Sequence, residues 1–139
     1  MNYGLFILVL FLLVYLFFAI RATVYTHRLK KDRIDWSFEK FRDEFDGVEV
    51  ENALSIKYAY EDLVGLMRIP IKREDRLELT LGMLPECIEM ALEERVQKLG
   101  VDNLYCIENM VYSPVRTVED YVLFLDRVMS IIGSDKNNQ

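Results

Sequence analysis

The chain has 139 residues, a formal net charge of −6 and 52% hydrophobic side chains. Of its charged groups, 12 of the 17 basic and 22 of the 23 acidic residues lie beyond Arg33, so the portion from Ile34 onward carries −10. Such a domain repels phosphate backbones, which excludes nucleic acid as a partner class, and about 110 residues beyond the first segment suffice for one small domain but not two.

The first segment is apolar. Residues 3–20 carry no charge, and Arg21 is the first charged side chain. A helix rises about 1.5 Å per residue and the hydrocarbon core is roughly 30 Å thick, so this stretch is long enough to span, extending to Tyr25 if Arg21 snorkels. A cleaved signal peptide needs a basic opening and a small-residue exit. Met1-Asn2-Tyr3-Gly4 has no basic side chain, and residues 17–23 offer only weak cleavage chemistry, so the span is expected to be permanent. It has little small-residue spacing for close helix packing, Gly4 and Ala19 being far apart.

Residues 1–25 thus read as a transmembrane anchor and 26–33 as a basic juxtamembrane stem. Arg28, Lys30, Lys31 and Arg33 in that stem predict an outside N-terminus and a cytoplasmic C-terminal domain in a single-pass cell-membrane protein. The same four residues are candidate contacts for anionic membrane lipid, at about 1 kcal/mol each. The acidic domain behind them is expected to be held slightly off the leaflet.

Residues 34–47 predict a short amphipathic helix, with Ile34, Phe38, Phe41 and Phe45 at helical spacing, Asp35 as cap and Gly47 after the end. Its Phe stripe is suited to the domain core or, beside Trp36, to a membrane interface; the mixed charges of its polar face favour the core. A small helical domain follows over 48–133. Its first helix is expected at 50–67, with Val50, Leu54, Tyr58, Ala59, Leu63, Leu66 and Met67 on the apolar face, ended by Arg68-Ile69-Pro70. The alternation Leu77-Glu78-Leu79-Thr80-Leu81 is compatible with a strand or with an extended loop that pins leucines into a core.

Residues 84–99 predict the clearest helix. Pro85 suits its first position, and Leu84, Ile88, Ala91, Leu92, Val96 and Leu99 form a stripe closed by Gly100. Cys87 is assigned to this stripe as a small buried hydrophobe. It and Cys106, 19 residues on, have no companion ligand, so no metal site or cofactor is expected, and a cytoplasmic domain would keep both reduced. Residues 104–112 are compatible with a strand, a short helix or a packed loop. Thr117-Val118-Glu119-Asp120 then caps a last helix whose stripe is Val118, Tyr121, Val122, Leu125, Val128, Met129 and Ile132, stopped at Gly133. Residues 134–139 are expected to be a frayed polar tail. The fold class is therefore mostly α, with a short β element left open.

The order of these segments resembles acyl carrier proteins. Ile71-Lys72-Arg73-Glu74-Asp75-Arg76-Leu77 leads to Leu81-Gly82-Met83 and then to Ile88-Glu89-Met90-Ala91-Leu92-Glu93-Glu94. Gly100-Val101 and Thr117-Val118-Glu119-Asp120-Tyr121-Val122 follow, and the likeness covers roughly 53–132. It implies an acyl-carrier-like bundle with an acidic docking helix. It does not imply acyl carriage. Met83-Leu84-Pro85-Glu86 stand where the carrier family has its phosphopantetheine serine, and no serine occurs from Ile56 to Tyr112.

Chemistry is sparse. The one histidine, His27, lies in the stem, and no glycine-rich loop opens a helix. Glu86, Glu89, Glu93 and Glu94 read as a solvated acidic face and not as a general acid–base pair. A non-catalytic module is therefore expected, presenting these four glutamates to a basic protein partner. Tyr58, Tyr60, Tyr105, Tyr112 and Tyr121 are candidate hot-spot residues whose simpler role is core packing. Two alternative readings are an immunity-type protein that neutralises a basic toxin and an accessory subunit of a membrane acyl-handling complex.

Overall fold

A computed structural model describes residues 2–101 and 114–137, excluding the side chains of 135 and 136. The chain divides into two compact units, Met1–Asp35 and Trp36–Gln139. It is mostly α-helical, and among the described residues five helices and no strand occur.

The first unit is α1, Tyr3–Asp32, one continuous helix of 30 residues. At about 1.5 Å per residue it is some 45 Å long, so it is long and apolar enough to cross a membrane. None of its residues is buried, and Thr23 Oγ1 donates to the Ala19 carbonyl at 2.9 Å. The basic stem is no separate linker but the last turns of this helix. Lys30 and Lys31 sit at its C-terminal end, where cations complement the helix dipole.

In the second unit α2 is Phe38–Asp43, shorter than the sequence suggests. Ser37, not Asp35, is its cap, the Ser37 hydroxyl accepting from the Lys40 amide at 3.4 Å. The Phe stripe belongs to the core: Phe41 and Phe45 are buried, and Phe41 packs on Tyr60 with ring centroids 5.1 Å apart. Ile34, assigned to the same stripe, is exposed.

The central helix is α3, Ala53–Met67, which packs chiefly on α5, Val118–Asn137, and also against α2 and α4, Pro85–Lys98. Its buried positions are Ser55, Ile56, Ala59 and Leu63. Leu54 and Leu66, expected on the same face, are exposed. Residues 55, 56, 59 and 63 subtend a narrower arc than the seven apolar residues of the sequence pattern, and the surplus spills onto the flanks. Asn52 makes no side-chain cap of its own. Instead Asp126, 74 residues away on α5 and buried, accepts from the amides of Asn52 at 2.7 Å and Glu51 at 3.0 Å. The helix ends at Arg68, which takes a left-handed conformation (φ 54°) before Ile69-Pro70.

Between α3 and α4 the chain is a pinned loop. Leu77 and Leu81 are buried and Leu79 is 70% exposed, so the alternation is real, but a turn and not a strand produces it. The Thr80 and Leu81 amides both donate to the Arg76 carbonyl, and the only sheet-like contact among the described residues is the antiparallel bridge Arg76–Thr117.

Helix α4 has Pro85 in its first turn and closes in a Schellman motif. The Gly100 amide donates to the Gln97 carbonyl and the Val101 amide to the Val96 carbonyl, with Gly100 at φ 80°. Ile88, Ala91 and Val96 face inward, and Val96 meets Val128 of α5. Two stripe members are misplaced by the pattern: Leu84 and Cys87 are exposed. Cys106 and the stretch 104–112 lie outside the described residues.

The start of α5 is a capping box. The Asp120 amide donates to Thr117 Oγ1 at 3.1 Å, and Asp120 Oδ2 accepts from the Thr117 amide at 2.9 Å. Val118, Tyr121, Val122, Leu125 and Val128 are fully buried along it. Gly133 does not stop this helix, which runs on to Asn137, so the tail is helical through 137. A glycine in right-handed geometry merely weakens a helix, by about 1 kcal/mol relative to alanine.

Candidate functional site

The four candidate glutamates occupy α4, whose orientation is set by the inward-facing Ile88, Ala91 and Val96. At about 100° per residue, Glu86, Glu89 and Glu93 fall on one flank of the helix, and all three are exposed. Glu94 does not join them. It lies on the other flank, 2.8 Å from Lys98 Nζ, and hydrogen bonding to that ammonium holds its carboxyl below the usual range. The structure therefore splits the set into three open carboxylates and one neutralised pair.

The second flank borders a groove of about 310 Å³ between α4 and α3. Its apolar floor and lip are Gly65, Leu66, Cys87, Met90 and Ala91, with Met90 67% and Leu66 53% exposed. Asp62 and Arg95 form the inner wall. Arg95 grips Asp62 in a two-pronged ion pair, Nε lying 3.0 Å from Oδ2 while Nη2 donates to Oδ1. The Tyr121 hydroxyl donates to Asp62 Oδ2 at 3.1 Å, and the Arg95 guanidinium lies 4.4 Å from the centre of the Tyr58 ring. Burial first, then the Asp62 charge, pushes the Tyr121 hydroxyl far above its ordinary value of 10.0. Hydrogen bonding to Asp62 likewise raises Arg95.

This network ties α3, α4 and α5 together at one point. Asp62 accepts from three donors, so its carboxylate holds the three helices together. Its signal in the sequence was faint: Asp62 and Arg95 stand 33 residues apart on different helices. Of the tyrosines, Tyr121 is fully buried, Tyr60 is half-buried in the α2–α3 aromatic cluster and Tyr58 is half-buried beneath Arg95. Tyr105 and Tyr112 lie outside the described residues.

Of the four stem residues, Arg28, Lys30 and Lys31 are exposed. Arg33 is only 7% exposed and has interactions of its own, so it is not presented to lipid headgroups as the sequence suggests. Among the described residues no group of three or more His, Cys, Asp or Glu side chains is placed to hold a metal ion. Comparison with protein-family models, with curated proteins and with solved structures found no match to this chain.

Proposed function

We propose that the chain is a single-pass membrane protein whose helical domain binds a basic protein partner through α4 and has no catalytic role. The observation that carries this reading is the pairing of Glu86, Glu89 and Glu93, open on one flank of α4, with the partly exposed apolar groove on the other. A basic amphipathic segment would set lysines or arginines against the carboxylates and an apolar side chain between Leu66 and Met90. The acidic surface steers the encounter and the groove supplies the desolvated contact. Anchoring through α1 raises the domain's concentration near any partner at the same membrane. The N-terminus is outside and the domain cytoplasmic in this reading, the support being the exposed Arg28, Lys30 and Lys31 at the end of α1. Those three residues also meet anionic lipid.

The test is capture from native cells with the intact chain in mild detergent, alongside E86K/E89K/E93K. A stoichiometric basic protein, salt-sensitive and lost from the triple variant, is the expected result. Its identity separates a general adaptor from a toxin-neutralising protein and from an acyl-handling complex, the reading suggested by the carrier-like segment order. No partner, or one held equally by the triple variant, refutes the proposal. Orientation is checked at the exposed Cys87 with a membrane-impermeant maleimide. Labelling before cell permeabilisation would refute a cytoplasmic domain.

A further inference from the structure

Five cations of the domain stand in ion pairs. Arg42, Lys57, Arg73, Arg95 and Lys98 each have a carboxylate within 4 Å. Arg76 and Arg116 have none among the described residues, yet the fold brings them to the same hollow of about 290 Å³, with Glu78 and the exposed Leu79. Their backbones are fixed side by side. Arg76 bridges to Thr117, and the Leu77 amide donates to the Arg116 carbonyl at 2.9 Å. The turn carrying Leu79 is stiffened where the Arg76 amide donates to Thr80 Oγ1 at 3.1 Å and the Arg76 carbonyl accepts from Thr80 and Leu81. Two nearby carboxylates bear on the balance. Glu78 lies in the hollow itself, so the lining carries +1, while Asp120, outside the lining, accepts from the amides of Arg116 and Thr117 and keeps its charge.

Two guanidiniums sharing one hollow with a single carboxylate still favour a further anion, and the planar fork of arginine matches phosphate oxygens. A leucine 70% exposed at the tip of a stiff turn beside them is suited to the acyl boundary below such phosphates. We propose that Arg76, Arg116 and Leu79 form a site for the phosphate headgroups of an anionic lipid surface. The acidic domain then touches the leaflet with this one corner while the rest of it stays away. The inference rests on the reading of α1 as a membrane anchor, which keeps lipid phosphate at high local concentration around the domain.

The experiment uses the full-length chain in nanodiscs of phosphatidylcholine, with or without a minority of phosphatidylserine and with a gadolinium-headgroup lipid in both. Selective paramagnetic broadening of the Leu79 methyl signals in the phosphatidylserine discs is expected. The R76Q/R116Q variant should lose that contact population by about 30-fold, the worth of two basic residues near an anionic leaflet. Its remaining methyl signals, unshifted, would show an intact fold. Leu79 unbroadened in discs that hold the chain, or broadened equally in the variant, overturns the proposal and leaves the anchor standing. A chain that fails to enter discs refutes the anchor reading instead. Inorganic phosphate added to lipid-free micelles separates the remaining source. If it shifts the Arg76 and Arg116 Nε–H signals while lipid broadens nothing, the site takes free anions and the lipid proposal falls.

Discussion

Replacing Asp62 by alanine is the sharpest probe of how this domain is held together. In D62A the Arg95 guanidinium loses both prongs of its ion pair and the Tyr121 hydroxyl loses its acceptor. The Asp62 and Arg95 side chains are 14% and 12% exposed, so solvent screens the pair little. Breaking a buried pair by removing one partner costs about 3–5 kcal/mol, because the other charge is left uncompensated. For a domain of this size each kcal/mol moves Tm by about 4–8 °C, so a fall of at least about 12 °C is expected. In contrast, Y121F removes one donor and leaves the ion pair intact, at a cost of about 1 kcal/mol. Exchanging the pair for an apolar one, D62L/R95M, should recover much of the D62A loss. Trp36 is the only tryptophan and belongs to the second unit, so its fluorescence during a thermal melt in mild detergent reports on the domain and not on α1. A D62A shift no larger than that of Y121F would refute the hub.

Two further outcomes follow from buried polar groups. Asp126→Ala strips the acceptor from the Glu51 and Asn52 amides and from Asn52 Nδ2, with an expected loss of about 2–4 kcal/mol. Hydrogen exchange at the Glu51 and Asn52 amides should accelerate by the same free energy, and unchanged protection there would sink the idea of a cap supplied by α5. The raised pKa of Tyr121 makes the domain sensitive to alkali. Below pH 10 both folded and unfolded chains hold the proton and the contribution is complete. Above it only the unfolded chain releases the proton, so stability falls by about 1.4 kcal/mol per pH unit. Urea midpoints from pH 9 upward should therefore drop more steeply for the wild type than for Y121F, and parallel curves would contradict the burial argument.

Where the chain's chemistry is local, the sequence reads well. Pro85 and Gly100 bracket α4, Thr117 and Asp120 box the start of α5, and Arg68-Ile69-Pro70 ends α3, each through bonds spanning a few residues. The misplaced stripe residues share one form. Leu54, Leu66, Leu84 and Cys87 are apolar and near the right phase, but a helix packed on few neighbours buries only a narrow arc. Asp35 and Ser37 are both competent caps, and only the burial of Phe41 and Phe45 decides that α2 begins at Ser37. Gly133 looks like a stop signal, yet nothing in its backbone requires a positive φ and the helix passes through it.

The candidate sites divide along the same line. From residue order alone came an apolar helix with basic residues at its end, an acidic portion behind it, and glutamates on α4, because hydropathy, charge and helical period are properties of neighbours in the chain. Tertiary structure alone opened the groove between Leu66 and Met90 and joined Asp62 to Arg95 and Tyr121. It also set Arg76 beside Arg116. Each of those pairings links residues tens of positions apart, and side chains so separated meet only when a shared core fixes the helices that carry them.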